Sequence, residues 1–263
     1  MSESPASALD LTGRVVIVTG GSRGVGRGIT QRFLDAGADV VICGRNEPET
    51  LPEGGGHTAV FTGADIREFE QIEAVIEFTR DRFGRLDVLV NNAGGAPEAP
   101  AATASPRFSE AIIRLNLIAA LNFAQQANAV MQNQETGGCI INIASVSGIR
   151  PSPGTAAYGA AKAGLLSLTK TLAVEWAPKV RVNAVTAGMI RTEQAHLHYG
   201  DEEGIAAVSA TVPLGRMGEP EDVGDTCVYL ASSLADYVSG ANVLLHGGGE
   251  KPAFLAAAAG KSK

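Results

Sequence analysis

Short apolar runs alternate with longer amphipathic stretches along almost the whole chain. RVVIVTG (14–20), DVVICG (39–44), TAVFTGAD (58–65), LDVLVNNAG (86–94), CIINIAS (139–145), VRVNAVTAG (180–188) and ANVLLHGG (241–248) read as strands. They are nearly continuous in apolar, β-branched residues, which is the pattern of strands covered on both faces. Between them, residues 26–37, 69–84, 107–131, 155–177 and 220–231 carry the helical period. In 69–84, for example, Ile72, Val75, Ile76 and Phe83 fall at helical spacing. Strand and helix in alternation predict an α/β architecture with a doubly wound parallel sheet. No linker or repeat interrupts the series, so one domain is expected over residues 11–249. Residues 1–10 and 250–263 are expected to be tails.

Two stretches break the rhythm. GGAPEAPAATASP (94–106) is rich in proline and alanine, and residues 188–218 make a long excursion. Both follow the carboxyl ends of strands, where open α/β sheets bind ligands. A long insertion there reads as a substrate loop; surface decoration is the alternative.

Composition narrows the function. The chain has 263 residues, 45% of them hydrophobic and 19% charged, which suffices for a sizeable core. A net charge of −7 offers no electrostatic footprint for nucleic acid. No apolar run approaches the roughly 18 residues of a membrane span. The opening MSESPASALD has neither the basic nor the apolar region of a signal peptide. A cytoplasmic protein without nucleic-acid or membrane partners is expected. Cys43, Cys139 and Cys227 lie far apart in apolar runs and read as buried thiols, not a disulfide or zinc set. His196 and His198 lack a third ligand, so no metal is expected.

The first strand ends in VTGGSRGVGRG, with Gly20, Gly24 and Gly26 spaced Gly-x-x-x-Gly-x-Gly. Glycine permits the tight turn and lets backbone N–H groups and a helix N-terminus approach a pyrophosphate. A plain strand-to-helix connection is the competing reading. Binders of NAD carry a carboxylate at the tip of the second strand. Here that tip is CGRN, with Arg45 in place of an acid, and Arg23 lies in the glycine loop. Two guanidinium groups suit a 2′-phosphate, which favours NADP(H) over NAD(H). Solvated surface charge is the alternative for both.

Tyr158 and Lys162 in YGAAK stand at i and i+4, on one helix face. A tyrosine that exchanges protons near neutrality needs a pKa well below its free value of about 10. A nearby lysine cation shifts it in that direction. Ser145, at the carboxyl end of the fifth strand, has a hydroxyl suited to a carbonyl or alcohol oxygen. A chance pair on a helix surface would not bring with it the strand-end serine and the glycine loop.

Taken together, TGGSRGVG (19–26), Asp65 after strand three, NNAG (91–94), Asn116 in RLNL, Ser145, YGAAK (158–162) and VNAVTAG (182–188) resemble the short-chain dehydrogenase/reductase family. The resemblance spans about residues 11–249. It implies a Rossmann-type doubly wound sheet of seven parallel strands with helices on both faces. It also implies a catalytic tetrad of Asn116, Ser145, Tyr158 and Lys162. In that tetrad Tyr158 is the acid/base, Ser145 orients the substrate and Lys162 lowers the tyrosine pKa and binds the nicotinamide ribose. Asn116 holds a relay water. The implied cofactor contacts begin with Gly20, Ser22, Arg23, Gly24, Val25 and Gly26. They continue with Arg45, Asp65 and Ile66 toward the adenine, and with Asn91, Ala93 and Gly94 beside the ribose. Tyr158, Lys162, Gly188, Ile190 and Thr192 complete them. A homodimer or homotetramer is implied as well.

The chain departs from the family pattern at Ala187-Gly188, where Pro-Gly is usual, and at His246, where aspartate is usual. The expected reaction is hydride transfer between NADP(H) and a ketone or secondary alcohol. Segments 95–106, 146–152 and 188–212 would line the pocket; their few charges suit a mostly apolar substrate such as an acyl thioester, steroid-derived ring or terpenoid. The alternatives are an inactive dinucleotide sensor, an NAD-dependent alcohol dehydrogenase of the same fold, and nucleotide-sugar chemistry. The last would require a substrate domain that this chain lacks.

Overall fold

The computed structural model describes residues 8–259. Residues 1–7 and 260–263, which hold most of one expected tail and the end of the other, lie outside the described residues. Seven strands form one sheet: β1 (Val15–Thr19), β2 (Asp39–Gly44), β3 (Val60–Gly63), β4 (Val88–Asn91), β5 (Gly138–Ser145), β6 (Val180–Ala187) and β7 (Asn242–Leu245). Their order is β3-β2-β1-β4-β5-β6-β7, and every neighbouring pair is parallel. The order reverses between β1 and β4. That topological switch point opens a crevice at the carboxyl ends of the strands.

The helices are α1 (Gly24–Asp35), α2 (Phe69–Phe83), α3 (Pro106–Ile113), α4 (Ala119–Met131), α5 (Ala156–Glu175), α6 (His196–Tyr199), α7 (Glu202–Thr211), α8 (Pro220–Ala231) and α9 (Ala253–Ala259). Alternate strand residues divide between two cores, as the two-residue period requires. Val16, Val18, Ile42, Val90 and Ile141 pack against Ile29 and Phe33 of α1 and Val223 and Cys227 of α8. Ile17, Val41, Leu89 and Ile140 face the other way, onto Ile72 of α2, Phe123 of α4 and Leu172 of α5. Both faces of the sheet are therefore dry, which accounts for its unbroken apolar strands.

Three elements differ from the sequence reading. The helix expected over 107–131 is interrupted by a π-helical turn at Arg114–Ile118. The strand expected from residue 58 starts at Val60, because Thr58 belongs to a small antiparallel hairpin with Glu53 and Gly54. The excursion at 188–218 is largely helical, and Ala195, Ile205 and Met217 form a small core of their own with Met189, Tyr199 and Val208. Cys43, Cys139 and Cys227 are buried free thiols. Among the described residues, no helix is long and apolar enough to cross a membrane.

Candidate active site

The glycine loop passes from β1 into α1 at the switch point. Gly24 starts the helix with φ +51°, a left-handed conformation that favours glycine. A Cβ on Gly26 would lie 2.1 Å from the Gly20 carbonyl oxygen and 2.5 Å from the Asn92 amide. Only hydrogen fits there, and the backbone closes into a tight cradle. Thr19 fastens this cradle to β4. Its hydroxyl accepts from the Asn92 and Ala93 N–H groups, both at 2.9 Å, and Asn92 Nδ2 donates to the Thr19 carbonyl at 2.8 Å. The NNAG pattern alone does not specify these bonds.

Arg23 and Arg45 are exposed at the loop and at the tip of β2. The Asp65 carboxylate accepts from Arg67 Nε at 2.9 and 3.1 Å. Hydrogen bonding from Arg67 outweighs partial burial and holds Asp65 at about 2, with the Arg45 charge adding to the effect. Asp65 is thus already satisfied by Arg67, a neighbour the sequence did not single out. Ile66 is buried in the core with Ile72 and Val75. The Asn91 side chain is buried at the end of β4. Its amide donates to the Ala120 carbonyl at 3.1 Å and to Asn142 Oδ1 at 3.0 Å, inside the fold.

The candidate catalytic residues meet beside Gly94. Ser145 ends β5, and its Oγ caps the following turn by accepting from the Ser147 N–H at 3.2 Å. The Ser145 side chain lies close enough to Tyr158 to act on its pKa. Lys162, one turn further along α5, is only 4% exposed. Its Nζ donates to the Ile143 carbonyl at 2.7 Å and lies 5.6 Å from the Tyr158 ring centroid. A Cβ on Gly94 would sit 2.5 Å from Asn116 Oδ1 and 3.4 Å from Lys162 Nζ. Asn116 is buried at the π-helical turn, a distortion that recurs at functional sites.

Burial raises the Tyr158 pKa, opposed by the neighbouring Ser145 side chain and assisted by nearby Tyr199. Burial also lowers Lys162 from 10.5 to about 8. The lysine ammonium is held by a backbone carbonyl, and burial acts on both side chains. A protonated phenol is the form that can donate to a substrate oxygen.

Gly188 abuts His246, where an added Cβ would approach the histidine Cβ to 2.7 Å. His246 therefore packs against the end of β6. Ile190 bridges to Gly218 and packs on the core, while the Thr192 methyl lies 3.6 Å from the Cβ position of Gly24. Two further contacts had no sequence signal. Glu193 Oε1 accepts from the Gly24 N–H at 3.0 Å, and Arg150 pairs with Glu250. His196 Nδ1 sits 3.1 Å from the Glu193 carbonyl; the His198 side chain lies outside the described residues. Among the described residues, no group of three His, Cys, Asp or Glu could hold a metal.

The cradle, the helix start and the buried Lys162 fit a dinucleotide. The family model described as enoyl-(acyl carrier protein) reductase matches residues 20–250. A 3β-hydroxysteroid dehydrogenase of Eggerthella lenta is 36% identical, with 91% of this chain and 94% of that one covered. A 3-oxoacyl-[acyl-carrier-protein] reductase of Thermotoga maritima is 35% identical, with 90% and 98% covered. The ligand-free aldohexose dehydrogenase of Thermoplasma acidophilum superposes with a TM-score of 0.84 at 30% identity, covering 91% of this chain and 94% of that one. Fold, loop and relatives agree, and the chain belongs to the short-chain dehydrogenase/reductase family of NAD(P)-dependent oxidoreductases.

Proposed function

We propose that the protein transfers hydride between NADP(H) and a ketone or secondary alcohol on a mostly apolar substrate. The observation that carries this reading is the grouping of Ser145, Tyr158 and Lys162 at the carboxyl end of β5. The nicotinamide, when bound, supplies or accepts the hydride. In reduction, Ser145 donates a hydrogen bond to the carbonyl oxygen and Tyr158 passes its phenolic proton to that oxygen. The C=O π bond breaks as the C–H and O–H bonds form, and the phenolate regains a proton from solvent. Lys162 stabilises the transient phenolate through its charge.

The preference for NADP(H) rests on Arg23 and Arg45, both exposed where a 2′-phosphate would lie, and on the absence of an acid at the tip of β2. The apolar substrate class rests on exposed Leu197 in the long loop and on relatives named for steroid and acyl-carrier substrates. The exposed Ala160 and Ala163 on α5 suit close helix pairing in a homodimer or homotetramer, which light scattering would test. The decisive experiment for the function is a panel of ketones and alcohols assayed with NADPH and with NADH. We expect turnover of apolar ketones with a clear preference for NADPH. Equal kcat/KM with both cofactors would overturn the cofactor assignment, and no turnover of any ketone or alcohol would overturn the reaction.

A further inference from the structure

On the reading of the glycine loop as a diphosphate site, we propose that Glu193 competes with the cofactor for the start of α1 and so limits its affinity. The Gly24 N–H, the first of the helix, donates to Glu193 Oε1 at 3.0 Å across 169 residues of sequence. The helix N-cap, Arg23, makes no side-chain capping bond, and the first turn contains no acid. The carboxylate therefore complements the positive end of the helix dipole, through a charge-assisted bond.

A dinucleotide diphosphate draws on the same backbone N–H groups and the same dipole. One N–H cannot serve both anions at full strength, and two negative groups at one helix start repel each other. Glu193 is exposed, so it can swing into solvent when the diphosphate arrives. With Thr192, it joins the long loop to the glycine loop. Thr192 beside it packs near Gly24, and the Ala195 N–H donates to the Thr192 carbonyl at 2.9 Å. Cofactor arrival thus frees the first turn of the loop that leads to α6, and cofactor departure is assisted by the returning carboxylate.

Calorimetric titration of NADP⁺ and NAD⁺ into the wild-type protein, E193Q and E193A tests this without reference to turnover. Glutamine keeps an acceptor but removes the charge; alanine removes both. The proposal expects the Kd for the preferred dinucleotide to fall by about three- to tenfold in E193Q and at least as far in E193A. Stopped-flow release should slow by a similar factor. Unchanged or weaker binding in both variants would overturn the proposal alone and leave the dinucleotide reading intact. Failure of all three proteins to bind either dinucleotide would overturn that reading and the proposal with it. Glu193 is exposed and its variants are expected to fold, which a thermal melt of each protein confirms before titration.

Discussion

Asn116 holds both backbone groups of Gly95. Its Oδ1 accepts from the Gly95 N–H at 2.8 Å, and its Nδ2 donates to the Gly95 carbonyl at 3.0 Å. Nδ2 also donates to the Ile112 carbonyl at 2.9 Å, a carbonyl near the π-helical turn. One side chain thus joins the helix that carries it to the segment after β4. Removing it in Asn116→Ala loses three hydrogen bonds; water can replace those at exposed Gly95, and the buried Ile112 carbonyl bond sets a cost of about 1–3 kcal/mol. The melting temperature should fall by roughly 3–10 °C, and turnover should fall with it. A variant that melts with the wild type would show that the clamp adds no stability.

Tyr158→Phe keeps the ring that packs beside Lys162 and removes only the proton handle. We expect turnover to fall by about 10²- to 10⁴-fold, while NADP⁺ affinity stays within about twofold. Steady-state assays and calorimetric titration check the two halves separately. Near-normal turnover in this variant would remove Tyr158 from the proton transfer.

Arg45→Asp should move the cofactor preference toward NAD(H). The new carboxylate would repel a 2′-phosphate and accept from free ribose hydroxyls. Arg45 stands close enough to lower the Asp65 pKa, so its charge acts on this end of the crevice. The ratio of kcat/KM for NADPH to that for NADH should fall by about tenfold or more. An unchanged ratio would mean that Arg45 is a solvated surface charge.

The alternation of strand and helix was legible because a sheet with two dry faces forces continuous apolar strands, and residues such as Ile140 and Ile141 serve opposite cores. The catalytic helix was legible because i and i+4 positions share a face whatever the tertiary context. The π-helical turn at Arg114–Ile118 was not, since the apolar period runs through it and only the Gly95 clamp reveals why the helix departs from regularity. Glu193 on Gly24 and Glu250 on Arg150 were invisible for another reason. They depend on where two distant loops come to rest, and an exposed glutamate in a loop carries no periodic signal. The desolvation of Tyr158 was not legible either, because a pattern of charges gives no measure of burial.

The Arg150–Glu250 pair lies at the end of a strap that crosses the long loop. The Leu214 N–H donates to the Gly247 carbonyl at 3.1 Å and the Lys251 N–H to the Thr211 carbonyl at 3.2 Å. Tyr199 feels both charges of the pair and in turn acts on Tyr158. Glu250→Gln should therefore alter the choice among ketones while cofactor KM holds. Partly exposed pairs are worth about 0–1 kcal/mol, so changes of up to about fivefold in relative kcat/KM are expected. Identical relative rates across a ketone panel would detach the strap from substrate choice.

Lys162 gives the protein a distinct pH signature. Burial lowers its pKa from 10.5 to about 8, so the folded state gives up this proton before the unfolded state does. Between about pH 8 and 10.5 the unfolded chain therefore binds more protons at this residue, and its contribution to stability rises with pH. Below that window the buried cation is a full burden, of about 3 kcal/mol for a shift of this size. The Ile143 carbonyl offsets part of the desolvation through its 2.7 Å bond and loses that bond in Lys162→Met. That packing change shifts the variant by a constant amount, whereas the proton linkage varies with pH. Other titrating groups are common to both proteins and cancel in the difference. Urea unfolding of wild type and Lys162→Met at pH 7.5 and pH 10 should show the wild type gaining about 2 kcal/mol relative to the variant. A difference that stays constant over this range would mean that Lys162 keeps its ordinary pKa, and that the cation beside Tyr158 is better solvated than its burial implies.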